Sequence, residues 1–334
     1  PESEWPRDVA RMREVGFNLV RVFEFAWHRL EPAEGQFDFD WALQVMDLCA
    51  QAGIGVMVGT PSAAPPAWLT TKYPEVLSVR ADGRRAGHGM RKHGSQVSRR
   101  YRDLCTRIVE QMAHRFGGHP ALHSWQIDNE MGGRDFSDES RRLFHQWLQA
   151  RYGTIENLNR TWGLEFWSQA YDAFEQIPMP TASVGSTEVP ERHHPSLIFA
   201  IARYHSEQWV DYVAAQCAVI RRYSDKPITT NMAGSGLNLD WYAINHNLDR
   251  VGHSLYKDVE HYPWNLMFFE RMRGEKPGRA YWFLETAPNW SGGGRQWNIH
   301  HHAQGLQAIT WLSTLLGGTM TLYWQWRSHW AGQE

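Results

Sequence analysis

The stretch "SWQIDNE", Ser124 to Glu130, decides the fold. It follows "GHPAL" and reads as the end of a buried strand in which Trp125 and Ile127 are the packing residues. An interior strand of a parallel sheet is ordinarily aliphatic throughout, yet this one closes on Asp128, Asn129 and Glu130. A parallel β/α barrel accommodates that ending, because its chemistry is displayed at the carboxyl ends of its strands.

The same alternation recurs on both sides of this stretch. Short β-branched and aromatic runs predict strands over Asn18 to Glu24, Ile54 to Thr60, His123 to Glu130, Pro227 to Met232, Arg250 to Tyr256, Ala280 to Thr286 and Thr319 to Trp326. Amphipathic periodicity predicts helices over Trp5 to Val15, Asp40 to Ala52, Ser98 to Phe116, Asp138 to Tyr152, Ser196 to Tyr223, Val259 to Met272 and His301 to Leu316. Gly16, Gly53, Gly117 and Gly317 stand where these helices give way to strands, as left-handed exits. Regular strand–helix alternation, with no Gly-rich phosphate loop, predicts a (β/α)8 TIM barrel and not an open dinucleotide-binding sheet. Only a helix precedes the first strand, and no helix follows the last. The expectation is one catalytic domain over residues 1–334, an excerpt of a longer multidomain chain that lacks the barrel's first strand and last helix.

Composition narrows the partners. A net charge of −2 and no basic run provide no field to gather nucleic acid or anionic membrane. Eighteen Trp and twelve Tyr serve a large core first, but aromatic faces also stack on the apolar faces of sugars. Cys49, Cys105 and Cys217 are too widely spaced for a disulfide framework or a zinc quartet. No apolar run reaches membrane-spanning length, the start "PESEWPRD" is not a secretory leader, and the expected compartment is the cytoplasm.

The predicted strand ends are unusually polar: Arg21 and Glu24, Asp128 to Glu130, Asn231, Tyr256, Glu285, then Gln325 to Arg327. One glutamate at a strand end is more simply a solvated loop acid. Two of them, Glu130 and Glu285, fall on the fourth and seventh strands of the expected barrel and can face each other across its mouth. Such a pair suits glycoside hydrolysis, in which one carboxyl protonates the leaving oxygen while the other captures the oxocarbenium-like centre; a separation of about 5 Å gives retention. Glu130 is assigned as acid/base, made less acidic by an aromatic setting and by the other carboxylate, and Glu285 as nucleophile. Asn129 would bind the sugar 2-hydroxyl. Arg21 either holds Glu285 ionised or forms a structural ion pair below the site. "NIHHHAQ" reads as a solvated helix start, and "GGGRQ" as a rim loop.

Several segments in consistent order resemble glycoside hydrolase family 42, the β-galactosidases: "NLVR", "FEFAWHRLEPAEGQFDFDW", "TPSAAPPAWL", "SWQIDNE", "WGLEFWSQAY", "ITTNM" and "YWQWR". The resemblance implies a retaining barrel whose fourth-strand Asn–Glu pair and seventh-strand Glu match Asn129, Glu130 and Glu285. It also implies sugar-site roles for Arg91, Trp167, Tyr256 and Glu334, further domains after the barrel, and a homotrimer. Many members hold a structural zinc through four Cys, one after the segment matching "RKH" and three after the fourth-strand Glu. Here those regions carry Ser95 and "GGRDFSDES", so no metal or other cofactor is expected, and His88 and His93 lack further spaced ligands. "ETAPNWSGGGRQW" departs from the family after the nucleophile, leaving Trp290 and Trp297 as alternative sugar-stacking residues, and "GHSLYKD" departs around Tyr256. The function expected is a retaining exo-glycosidase for terminal β-D-galactosyl residues of a small oligosaccharide. The alternatives are a β-glucanase, β-mannanase or α-L-arabinopyranosidase of the same clan, or a non-catalytic sugar-binding barrel.

Overall fold

The computed structural model describes residues 2–89, 91–180, 193–233, 239–288 and 302–327. Its strands are β1 (Leu19–Val22), β2 (Gly55–Gly59), β3 (Leu122–Gln126), β4 (Ile228–Thr229), β5 (Asn231–Ala233), β6 (Gly252–Ser254), β7 (Tyr281–Thr286) and β8 (Gly318–Tyr323). Every pairing is parallel, in two four-stranded ladders ordered β1-β2-β3-β4 and β5-β6-β7-β8. β4 and β5 are one predicted strand broken at Thr230, whose hydroxyl donates to the Ile127 carbonyl. The seven predicted strands are therefore all present and in order, and the arrangement is that of a (β/α)8 barrel. Among the described residues β8 does not pair with β1; a largely apolar cleft of about 1350 Å³, lined in part by Phe17, Leu19, Trp41, Leu322 and Trp324, separates them.

The predicted helices form close to where periodicity places them, over Trp5–Glu14, Asp40–Ala52, Arg99–Phe116, Asp138–Tyr152, Pro195–Ile220, Tyr262–Glu275 and Ala303–Leu315. Ser98 and Ser137 cap two of these by accepting from the Tyr101 and Ser140 amides. Helices over Ile155–Trp162, Ala67–Lys72 and Trp241–His246 were not anticipated, being short or within presumed loops. Gly16, Gly53 and Gly317 leave their helices with φ of 90°, 68° and 103°. Gly117 does not: its φ is −58°, and it is glycine because a Cβ would lie 2.4 Å from the Tyr223 carbonyl oxygen.

Alternation along the strands divides two cores. Val56 and Val58 of β2, with Leu122 and Trp125 of β3, face outward into the large cluster beneath the helices. Met57, Trp282 and Leu284 meet on the other face, with Met320 and Leu322, and plug the interior of the ring. Tyr281 and Phe283 pack outward against Phe268, Phe269 and Ile309. No helix among the described residues is long and apolar enough to cross a membrane.

Candidate active site

The candidate functional residues lie at the carboxyl ends of the strands, mostly just beyond the last ladder hydrogen bond. The predicted strands therefore run too long: β3 stops at Gln126 and β6 at Ser254, so Asp128 to Glu130 and Tyr256 stand on irregular backbone. Asp128 and Glu130 have φ of 52° and 48°, left-handed values that non-glycine residues adopt only where their surroundings impose them.

Glu285 is the exception, lying within β7. By simple alternation it would point outward with Phe283. It does not, because β7 carries an extra residue between Phe283 and Glu285 relative to both neighbours: His253 and Ser254 of β6 face Phe283 and Glu285, and the register with β8 also shifts between Phe283 and Thr286. This bulge turns the carboxylate into the ring. There its Oε2 accepts from Arg21 Nη2 at 2.6 Å and from Asn231 Nδ2 at 3.0 Å, and its Oε1 accepts from the Tyr256 hydroxyl. Burial, and then the charge of Glu285, raise the Tyr256 pKa, so the phenol remains a donor. Arg21 also donates to Glu24 Oε1 at 2.8 Å, and to Gln126 Oε1 and the Leu284 carbonyl at 3.1 Å each. Burial works against its charge, but Glu24 and Glu285 outweigh this and raise its pKa. One guanidinium thus bonds both the candidate nucleophile Glu285 and Glu24.

Glu130 connects to the same network through Asn231, whose Oδ1 accepts from the Glu130 amide at 3.1 Å and whose Nδ2 donates to Asn129 Oδ1 at 2.8 Å. The Glu130 carboxylate lies beside two cations, its Oε2 3.2 Å from Arg91 Nη1 and 3.3 Å from Lys92 Nζ. Its charged neighbours are thus two cations, where an aromatic setting was expected. Asn129 is buried, and its Nδ2 has no partner among the described residues, so a donor is left over at the site.

Behind this pair lies a polar network that no sequence motif announces. The buried Asp128 carboxylate accepts from Ser62 Oγ at 2.7 Å, the Tyr212 hydroxyl at 2.9 Å and the Asn129 amide at 2.7 Å. Its amide donates to Thr60 Oγ1 at 2.8 Å, so the end of β3 is tied to the "TPS" turn after β2 and to the helix Pro195–Ile220. Burial raises the Asp128 pKa against the pull of these donors. Asn231 and Gln126, the hubs of the site, stood in the sequence as polar interruptions of apolar strands. That was the signal available for them.

Trp167 stands apart from these contacts, 81% exposed at φ 55° and stacked on Phe166. Trp290, Trp297 and Glu334 lie outside the described residues. The cysteines are buried thiols whose acidity burial suppresses, Cys49 to about 11 and Cys217 to about 12. His88 and His93 lie edge to face at 5.1 Å, and no group of three metal-ligating side chains occurs among the described residues. His302 caps the helix Ala303–Leu315 by accepting from the Gly305 amide, as a helix start should.

A ring of parallel strands with two glutamates at its carboxyl end, one gripped by Arg, Asn and Tyr, defines a β/α-barrel of the two-carboxylate type. The chain belongs to glycoside hydrolase family 42, whose model, described as "Beta-galactosidase", matches residues 1–334. It is 34% identical over 336 residues to beta-galactosidase YesZ of Bacillus licheniformis, a match that takes in 100% of this chain and 50% of that protein. Beta-galactosidase of Thermus thermophilus is 33% identical over 365 residues, 54% of its length. The crystal structure of a cold-adapted beta-galactosidase from Rahnella sp. R3 superposes with a TM-score of 0.93 at 29% identity, over 99% of this chain and 49% of that one. A beta-galactosidase from Halorubrum lacusprofundi gives 0.90 at 31%, over 98% and 51%. The chain thus spans about half the length of the relatives it matches.

Proposed function

We propose that this chain carries the catalytic barrel of a retaining exo-β-galactosidase, which releases terminal non-reducing β-D-galactosyl residues by double displacement. The observation that supports this best is the grip on Glu285: three donors, Arg21, Asn231 and Tyr256, hold a buried carboxylate in one orientation. In this reading Glu285 attacks the anomeric carbon as Glu130 gives its proton to the departing oxygen. The glycosidic C–O bond breaks and a galactosyl ester on Glu285 forms. Glu130, now a carboxylate, takes a proton from water; the water oxygen attacks the anomeric carbon and Glu285 leaves. In this reading Asn129 Nδ2, which has no partner among the described residues, donates to the sugar 2-hydroxyl, and Arg91, beside Glu130, binds the sugar. No cofactor takes part. The exposed Trp167 suits a platform for the leaving portion of an oligosaccharide, and the proposal extends to a cytoplasmic homotrimer, for which light scattering is the check on assembly.

The test is hydrolysis of nitrophenyl β-galactoside, β-glucoside and β-mannoside by full-length protein and by Glu285→Ala. Preference for the galactoside, loss in the variant, and azide rescue giving the inverted α-galactosyl azide are expected. Equal inactivity of wild type and variant on all three refutes an enzyme, and preference for glucoside or mannoside refutes the substrate.

A further inference from the structure

Asp135 is a buried carboxylate five residues past Glu130, and the chemistry proposed above does not use it. Its Oδ1 accepts from the Val79 amide at 2.8 Å and the Ser137 amide at 3.2 Å. Its Oδ2 accepts from Ser95 Oγ at 2.7 Å and Ser137 Oγ at 2.6 Å. These donors come from two separate stretches of chain. Ser137 belongs to the loop after Glu130 and caps the helix Asp138–Tyr152. Val79 and Ser95 flank the rim loop that carries Arg91 and Lys92, and Ser95 Oγ also accepts from the Val97 and Ser98 amides at the start of the helix Arg99–Phe116. A second backbone tie, from the Phe136 amide to the Val79 carbonyl at 2.9 Å, runs alongside.

From this geometry we infer that Asp135 is a positioning residue for the acid/base side of the site. It fixes the Arg91–Lys92 segment relative to Glu130, to which both cations bond. Four hydrogen bonds onto one buried carboxylate, from two separate stretches of chain, make a rigid joint. Ser95 and this loop occupy the two regions in which many family members place zinc-binding Cys, and hydroxyls already committed to a carboxylate do not fit a zinc ion that asks for thiolates. The staple is hydrogen-bonded where the family resemblance implies zinc-binding cysteines in other members.

The inference rests on Glu130 being the acid/base, and its test uses the full-length protein. Asp135→Ala should lower kcat/KM on nitrophenyl β-galactoside on the order of 10–100-fold through misplacement of the rim, with Ser95→Ala a milder version that keeps the fold. The deciding measurement is a double-mutant cycle with Lys92→Met. If Asp135 acts through the Arg91–Lys92 segment, Asp135→Ala adds less than about threefold to the loss already caused by Lys92→Met, and Ser95→Ala behaves likewise if Asp135→Ala does not fold. Multiplicative losses, or variants that lose only melting temperature and keep kcat/KM within about threefold, overturn it. Elemental analysis should find no stoichiometric zinc, and one tightly held zinc per chain overturns the metal-free staple. An inactive wild type would sink the proposed function instead, so the two failures are distinguishable.

Discussion

Replacing Arg21 with Met removes a cation that bonds two buried carboxylates, Glu24 and Glu285. Arg21, Glu24 and Glu285 all have side chains less than a tenth exposed, and the guanidinium makes four hydrogen bonds, two of them to those acids. Around Arg21 the cluster changes from a formal charge of −1 to −2, with neither acid able to move into water. Breaking a buried pair by removing one partner costs about 3–5 kcal/mol, because the charge left behind is uncompensated. Urea unfolding of the full-length variant should show a loss in that range. The rate should fall on the order of 10²-fold as well, because Glu285 keeps Asn231 and Tyr256 but loses the bond that sets its direction. If stranded charge is the cause, Arg21→Met with Glu24→Gln regains stability while activity stays low, since Glu285 is still unclamped. A loss below about 1 kcal/mol, or a double variant less stable than Arg21→Met alone, refutes the reasoning.

Asn129→Ala should lower kcat/KM on a β-galactoside about 10²-fold or more, and much less on the 2-deoxygalactoside, which cannot use the amide; equal losses on both would remove the 2-hydroxyl role. Burial, assisted by Arg134 for His205 and Arg271 for His253, lowers the two imidazole pKa values from 6.5 to about 3 and about 4. Both rings are neutral in the fold but take protons when unfolded, so their stabilisation is complete above pH 6.5 and is lost as pH falls from there toward 4, by up to about 1.4 kcal/mol per pH unit each. Chemical denaturation across that window should show the loss, and His205→Phe should flatten it. Gly252→Ala puts a Cβ 2.3 Å from Leu284 Cδ1 and 2.6 Å from the Thr230 carbonyl oxygen. A destabilisation of about 1–3 kcal/mol is expected, with lowered activity because Leu284 precedes Glu285; an unchanged melting temperature would show that β6 and β7 have slack there.

What the sequence determined by itself was whatever depends on local pattern. Strand and helix order follows from periodicity, so Asp40–Ala52 and Asp138–Tyr152 were legible to the residue. Glu130 and Glu285 stood out because charge is costly inside apolar strands and persists there only with a purpose. What pattern could not supply is direction and partnership. Alternation points Glu285 away from the site, and only the extra residue in β7, visible against the register of β6 and β8, turns it inward. Glu130 was given an aromatic setting, whereas the fold brings Arg91 and Lys92 from a loop 39 and 38 residues earlier. Asn231, 101 residues beyond Glu130, ties the Glu130 backbone amide to the Glu285 carboxylate, and Asp135 is bonded to Ser95 beside the rim loop. These contacts form between segments far apart in the chain. Burial and unmet hydrogen-bonding demand select them, and both come into existence only once the tertiary structure has closed around those groups.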